Sequence, residues 1–162
     1  MKILIAYYSN FGNTFELASA VKRGILAAGD FEVTISKISP KKENNLDPNQ
    51  FDLVFLGGPV VFELNSQVRD FGLRLSPGKK VAVFSVGLSK VGFESLKKFE
   101  SALVSKGINC IETIFIKKNV FQKGFSEISI SRIEGFGEKI VSRLMNISTK
   151  RDKEKSKIKG YK

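Results

Sequence analysis

Ser9-Asn10-Phe11-Gly12-Asn13-Thr14 is a polar, glycine-containing stretch that separates an apolar segment from an amphipathic one. The preceding residues 3–7 are continuously apolar, which is typical of a strand buried on both faces of a parallel sheet. After the stretch, apolar residues recur at helical spacing up to about Gly29, where the helix is predicted to stop. They are Leu17, Ala18, Val21, Ile25 and Leu26. The sequence therefore predicts a strand, a loop and a helix in direct succession.

The loop between this strand and this helix has the composition of a phosphate site. The first turn of a helix offers unpaired N–H groups and the positive end of the helix dipole to an anion. The loop side chains that add donors are Ser9, Asn10, Asn13 and Thr14. An ordinary turn is the alternative, in which these side chains cap the helix and Gly12 supplies a positive φ angle. Because this loop contains one glycine and no lysine, it can be neither a P-loop nor a dinucleotide-binding fingerprint.

Strands and helices alternate along the rest of the chain. Further strands are predicted over residues 31–38, 51–56, 81–86 and 108–116, and further helices over residues 65–75, 96–107 and 128–145. Residues 31–38 alternate apolar and polar side chains, as an edge strand or a strand with one exposed face does. Residues 39–49 are predicted to form a loop. The pattern predicts a parallel sheet with helices on both faces, whose ligands bind beyond the carboxyl ends of the strands.

The length and the residue types limit the fold and the chemistry. A chain of 162 residues fits one domain. Because the sequence has no histidine and a single cysteine, it excludes a Ser-His-Asp triad, a Cys-His pair, a histidine metal site and a disulfide within the chain. Cys110 lies in an apolar run and is predicted to be a small buried hydrophobic residue. The N-terminal apolar segment is too short for a signal peptide or a membrane span, so a cytoplasmic protein is expected.

Two segments of the sequence resemble flavodoxins and the FMN-dependent reductases of flavodoxin-like fold. Residues 3–14 are similar to the family's apolar strand followed by Ser/Thr-x-x-Gly-Asn-Thr, the loop that wraps the FMN phosphate. Residues 51–62 are similar to the Tyr/Phe-Asp-x-hydrophobic-Gly-Ser-Pro segment that leads into the family's flavin-ring loop. The resemblance spans residues 1–146. It implies an α/β three-layer sandwich of flavodoxin type, with a five-stranded parallel sheet in the order 2-1-3-4-5.

The resemblance also implies that three loops bind FMN. The phosphate would be bound by Ser9, Asn10, Phe11, Gly12, Asn13 and Thr14. The isoalloxazine ring would be lined on one side by Pro59, Val60, Val61 and Phe62, and on the other by Val86, Gly87, Leu88 and Ser89. Phe62 offers a flat apolar surface for stacking, with a core position as the alternative. The sequence departs from the family where residues 57–59 carry glycine in place of serine and where the third loop lacks tyrosine and acidic residues.

The charge of the chain is opposite to that of classical flavodoxins, which are acidic. The sequence carries 27 Lys and Arg against 16 Asp and Glu, a formal net charge of +11. Residues 147–162 contain seven of the basic residues and two acidic ones, and we predict a disordered tail here, following a flavodoxin-like domain at residues 1–146. A positive field favours an acidic redox partner, an anionic membrane surface or nonspecific binding of nucleic acid.

A second group of basic residues follows the fifth predicted strand. Lysines and phenylalanines are interleaved there: Phe115, Lys117, Lys118, Phe121, Lys123 and Phe125. These residues are expected to extend a positive patch beside the flavin loops. No recognised nucleic-acid module accompanies them, so specific base recognition is not predicted.

An FMN-binding redox protein is the function that these observations favour. It would be an electron carrier or a small FMN-dependent oxidoreductase, in which the flavin and no particular side chain performs the chemistry. The alternative is a flavodoxin-like binding or scaffold domain without cofactor, and flavin content distinguishes the two. A phospho-receiver domain shares the strand order but requires acidic residues after the first strand and an aspartate ending the third. Tyr7-Tyr8 and Gly57-Gly58 stand at those positions.

Overall fold

A computed structural model describes residues 1–39, 46–119, 121 and 123–159, with side chains at all of these except residue 90 and residues 147–159. The strands are β1 (Lys2–Tyr7), β2 (Glu32–Lys37), β3 (Leu53–Val60), β4 (Lys80–Gly87) and β5 (Asn109–Lys117). The helices are α1 (Asn13–Ala27), α2 (Ser66–Leu73), α3 (Lys90–Ser105) and α4 (Glu127–Lys159), with a short 3-10 helix at Pro48–Gln50. Part of the loop predicted at residues 39–49 lies outside the described residues.

The five strands form one parallel sheet in the order β2-β1-β3-β4-β5, so the predicted order is confirmed. β2 lies at an edge, which explains why its residues alternate between apolar and polar. The carboxyl ends of the strands lie side by side. Tyr7 of β1 is paired with Gly57 of β3, and Gly87 of β4 is paired with both Val60 and Lys117. The loops that follow β1, β3 and β4 therefore leave the same edge of the sheet.

Two apolar layers separate the sheet from its helices. Alternate strand residues face opposite sides. Ile5 and Phe55 pack with α1 and α4, whereas Leu4 and Leu56 pack with α2 and α3. All four side chains are fully buried. The arrangement is the three-layer sandwich that the sequence predicts.

β3 continues beyond its predicted end. The Gly-Gly-Pro sequence of residues 57–59 predicted a strand that ends near residue 56, but the strand runs to Val60. Pro59 is tolerated because β1 has ended by this point, so that Pro59 is paired with β4 alone. Its carbonyl oxygen accepts a hydrogen bond from the Asn65 N–H at 3.1 Å. The first residues of the predicted ring loop are consequently held in the sheet.

α4 also exceeds its predicted length. The helix was predicted to end at Met145, and it continues to Lys159 through the segment predicted as a disordered tail. Lysine, arginine and glutamate are good helix formers, and extending an existing helix avoids the cost of nucleation. The boundary between a folded domain at residues 1–146 and a tail at residues 147–162 stays a prediction. Within the described ranges, no helix combines the length and the apolar character needed to cross a membrane.

Cys110 is expected to be chemically inert in the folded protein. It is half-buried on β5 and packs against the layer under α2 and α3. Burial, and secondarily the negative charge of Glu100, raise the pKa of its thiol to about 12. Because only the thiolate reacts with disulfide reagents, we expect Ellman's reagent at pH 8 to modify the native protein about a hundredfold more slowly than the urea-unfolded chain. Equal rates in the two states would contradict this placement.

Candidate functional site

The loop between β1 and α1 presents a row of backbone N–H groups. Gly12 is the N-cap residue of α1 and adopts a left-handed conformation, with φ 85° and ψ −14°. Its own N–H donates to Ser9 Oγ at 3.0 Å. The first helical hydrogen bond runs from the Glu16 N–H to the Gly12 carbonyl at 3.0 Å, so the N–H groups of residues 13–15 precede it. Glycine has no side chain to cap these groups, and they can therefore serve an anion.

The side chains of this loop divide into buried hydroxyls and an exposed rim. Ser9 and Thr14 are 5% and 1% exposed, so both side chains are buried, and Ser9 Oγ accepts from within the loop as described above. Asn10 is exposed, Asn13 is half-buried, and the ring of Phe11 is 91% exposed. An anion held by the loop would have polar side chains beneath and beside it and an aromatic ring at its rim.

The loop between β3 and α2 is a compact turn that displays two apolar side chains. Val60 forms an isolated bridge with Leu64, and the Leu64 N–H donates to Ser95 Oγ of α3 at 2.9 Å. Val60 is buried, whereas Val61 and Phe62 are 61% and 76% exposed. Phe62 is therefore not a core aromatic residue. The turn holds its ring on the surface at the edge where the β1 and β4 loops also lie.

The loop between β4 and α3 provides the third group of predicted residues. Val86 and Gly87 are buried in β4, whereas Leu88 and Ser89 are exposed beyond it. Ser89 is the N-cap residue of α3, and its carbonyl accepts from the Gly92 N–H at 3.2 Å. The Gly87 carbonyl accepts from the Lys118 N–H at 2.9 Å. This loop is thus tied to β5 as well as to β3.

Two serines that the sequence analysis did not single out position these loops. Ser85 is fully buried, and its hydroxyl donates to the Gly58 carbonyl at 2.9 Å. Ser95 accepts from Leu64, as described above. Ser85 is the one polar residue in the apolar run of residues 81–86, a signal that the sequence contains. Ser95 gives no such signal, because an amphipathic helix such as α3 carries many polar residues outside its apolar face.

A cleft of about 390 Å³ adjoins the third loop on the side of β5. It is lined by Leu88, Lys117, Lys118 and Asn119. Lys118 is held in place, since its Nζ donates to the Gly124 carbonyl at 2.6 Å and lies 4.7 Å from the centre of the Phe125 ring. The cleft therefore combines a predicted ring-wall residue with two lysines.

Comparison with known proteins places the chain among flavodoxin structures. No protein-family model and no curated protein sequence matches it. The oxidised flavodoxin 2 of Bacillus cereus is 26% identical, with 88% of this chain and 99% of that chain covered and a TM-score of 0.68. The flavodoxin of Streptococcus pneumoniae TIGR4 is 19% identical, with 88% of this chain and 99% of that chain covered and a TM-score of 0.69. A flavodoxin from the domain Archaea is 18% identical, with 90% of this chain and 99% of that chain covered and a TM-score of 0.69.

The similarity covers nearly the whole length of each neighbour. The strand order of this chain, β2-β1-β3-β4-β5, is the one that its resemblance to flavodoxins implies. The chain therefore has the flavodoxin fold, and the resemblance to flavodoxins that its sequence predicts is confirmed.

Proposed function

We propose that this protein binds FMN at the carboxyl edge of its sheet and transfers electrons to or from a partner protein. The observation that carries the proposal is the β1–α1 loop, whose first-turn N–H groups and buried hydroxyls of Ser9 and Thr14 suit a phosphate. The flavodoxin fold and the two further loops at the same edge support it. An electron carrier and a small FMN-dependent oxidoreductase are both consistent with this arrangement.

The residues present fit an FMN molecule in their chemistry. The N–H groups of residues 13–15 and the dipole of α1 would balance the phosphate charge without a lysine. Phe62 and Leu88 are exposed apolar side chains on two separate loops and would contact the ring. FMN supplies the reversible uptake of electrons when bound. The protein's own part is to hold the phosphate, to shield the ring from water and to fix its position through the loops that Ser85 and Ser95 anchor.

Flavin content is the first test of this proposal. The protein is purified from a flavin-sufficient host, its visible absorption is recorded, and FMN is titrated into any colourless preparation. We expect bands near those of oxidised flavin, at about 370 and 450 nm, or FMN binding in the micromolar range. A colourless protein that ignores FMN at high concentration would favour a cofactor-free binding domain instead.

Replacing Thr14 with alanine tests the phosphate site itself. A lost hydrogen bond to a charged group costs about 2 kcal/mol, so we expect the Kd for FMN to rise at least tenfold. Riboflavin lacks the phosphate, and its affinity should not change in the same variant. Thr34→Ala, on the edge strand β2, is the matched control and should affect neither ligand. An equal loss of FMN and riboflavin affinity would indicate a general disturbance of the loop and not a phosphate contact.

A further inference from the structure

A basic ridge with one fully exposed aromatic ring lies next to the proposed flavin site. We define the β5–α4 ridge as Lys117, Lys118, Phe121 and Lys123. Between Glu112 and Glu127 the sequence contains three lysines and no acidic residue. Phe121 is 94% exposed, the most exposed large apolar side chain among the described residues. Exposed aromatic rings surrounded by charges of one sign are typical of surfaces that bind another protein.

The ridge adjoins the third loop through the sheet. Lys117 is paired with Gly87 in the β4–β5 ladder, and Gly87 directly precedes Leu88. Leu88 is 47% exposed and lines the cleft together with Lys117 and Lys118. A protein seated on the ridge would therefore stand beside one proposed wall of the flavin ring.

Hydrogen bonds hold Lys118 and the backbone N–H of Phe121 in place. The Lys118 N–H donates to the Gly87 carbonyl at 2.9 Å, and its Nζ is fixed between Gly124 and Phe125. Asn119 Oδ1 accepts from the Phe121 N–H at 3.1 Å, which fixes the backbone that carries the exposed ring. Groups that are already held in place lose little conformational entropy when a partner binds.

The two sides of this edge differ in charge. On the α2 side, Arg69 lies between Glu63 at 4.0 Å and Asp70 at 3.6 Å, so its charge is compensated. On the ridge side, Lys117 and Lys123 are exposed and none of the residues 113–126 is acidic. The Glu16 carboxylate of α1 comes close to Gly124, which holds Lys118, so the positive charge of the ridge rests on the two exposed lysines. A positive surface of this kind attracts a negatively charged partner and increases its rate of association.

We propose that the β5–α4 ridge docks an acidic electron-transfer protein, with Phe121 as the apolar anchor and the lysines as its charged surroundings. The inference rests on the proposed redox function, because it places the partner beside the flavin. A protein partner fits better than a lipid surface because the cleft beside the ridge is concave. Lys117 and Lys118 on the wall of this cleft can face an acidic side chain of a partner, whereas a flat bilayer cannot follow its surface.

Binding to an acidic plant-type [2Fe–2S] ferredoxin provides the test, with a basic cytochrome c of similar size as the opposite probe. The Kd of the 162-residue, FMN-treated protein for each probe is measured on a biosensor over a range of salt concentrations. Lys117→Gln/Lys123→Gln should raise the Kd for the ferredoxin at least fivefold at low salt and reduce its salt dependence. Lys80→Gln/Lys106→Gln removes the same charge at the opposite edge and should change the Kd less than twofold.

The aromatic anchor is tested separately. Phe121→Ser should weaken ferredoxin binding about tenfold at low and high salt alike, because the lost contact is apolar. Val104→Ser removes an exposed apolar side chain from α3 and should have no effect. Equal weakening by the ridge and control variants would overturn the proposal, as would tighter binding of cytochrome c than of ferredoxin. Ridge variants that lose binding to phosphatidylserine vesicles but not to ferredoxin would assign the ridge to a membrane and overturn it as well.

The biosensor does not depend on electron transfer, so the two proposals can fail separately. Ridge-dependent ferredoxin binding by a protein that takes up no FMN would contradict the proposed function and leave the docking surface standing. Normal FMN binding with ridge variants that behave like the controls would contradict the docking surface alone.

Discussion

Replacing Gly24 with alanine is expected to destabilise the protein by about 3 kcal/mol, through a clash between two helices. Gly24 lies in α1 where it crosses α4, and a Cβ atom there would overlap the backbone carbonyl of Glu134. A backbone group cannot turn aside as a flexible side chain can, so the helices would have to separate. Their separation would open the apolar layer that contains Val21, Ile25 and Ile140. Urea unfolding of the variant and the parent protein measures the loss.

Gly135→Ala is the matched control for this substitution. Gly135 lies in α4 close to the same crossing, but a Cβ atom there would meet nothing within 4 Å. Alanine is the better helix former, so we expect this change to stabilise the protein by about 0.5–1 kcal/mol. Similar effects of the two substitutions on stability would mean that α1 and α4 do not approach closely at Gly24.

The fold could be predicted because local patterns and overall topology agree. Apolar runs such as residues 3–7 and 81–86 indicate strands buried on both faces, and the helical repeats between them fix an alternating α/β chain. Right-handed crossovers then leave few possible topologies. The resemblance to flavodoxins at residues 3–14 and 51–62 selected one of these, and the observed order agrees with it.

Element ends could be predicted less well, because they depend on tertiary contacts. The composition of residues 57–59 predicts the end of a strand. In the structure, however, the Gly57 carbonyl accepts a hydrogen bond from the Tyr8 N–H at 2.9 Å, and the Gly58 carbonyl accepts one from the Ser85 hydroxyl. The small size of both glycines also leaves room for the Phe84 ring and the Val68 side chain. None of these partners is adjacent in the sequence, so local rules could not extend β3 to its observed end.

The candidate site likewise combines features that the local sequence predicts with contacts between residues that are distant in the sequence. The β1–α1 loop could be located because its donors, its glycine and its position between strand and helix are all local features. The left-handed φ of Gly12 is what the ordinary-turn alternative predicts, but the side-chain cap which that alternative also predicts is absent at this helix start. The contact of Ser95 with the β3–α2 loop joins residues 31 positions apart and has no local signature. The cleft at Leu88 arises in the same way, from a loop and a strand end that meet only in the folded sheet.

Phe62→Ala is expected to weaken FMN binding at least fivefold without lowering the stability of the protein. The Phe62 ring is 76% exposed, so its removal opens no cavity in the core. Stacking of an aromatic side chain on a heteroaromatic ring is worth about 1–3 kcal/mol by alanine substitution, which corresponds to a five- to 150-fold change in Kd. An exposed ring that contributes nothing to folding but much to binding is what the proposed site requires.

Titration of FMN and urea unfolding are compared for Phe62→Ala and for Phe121→Ala. Phe121 is more exposed than Phe62 and lies on the β5–α4 ridge, outside the residues proposed to contact the flavin. Both variants should unfold at the parent's urea concentration, because neither ring is part of the apolar layers.

Only Phe62→Ala should lose affinity for FMN, and it should lose affinity for riboflavin to the same extent, because the ring and not the phosphate is affected. Thr14→Ala is expected to weaken FMN but not riboflavin, so the riboflavin affinities of the two variants distinguish the ring contact from the phosphate contact. Unchanged FMN affinity in Phe62→Ala would remove the β3–α2 loop from the proposed site.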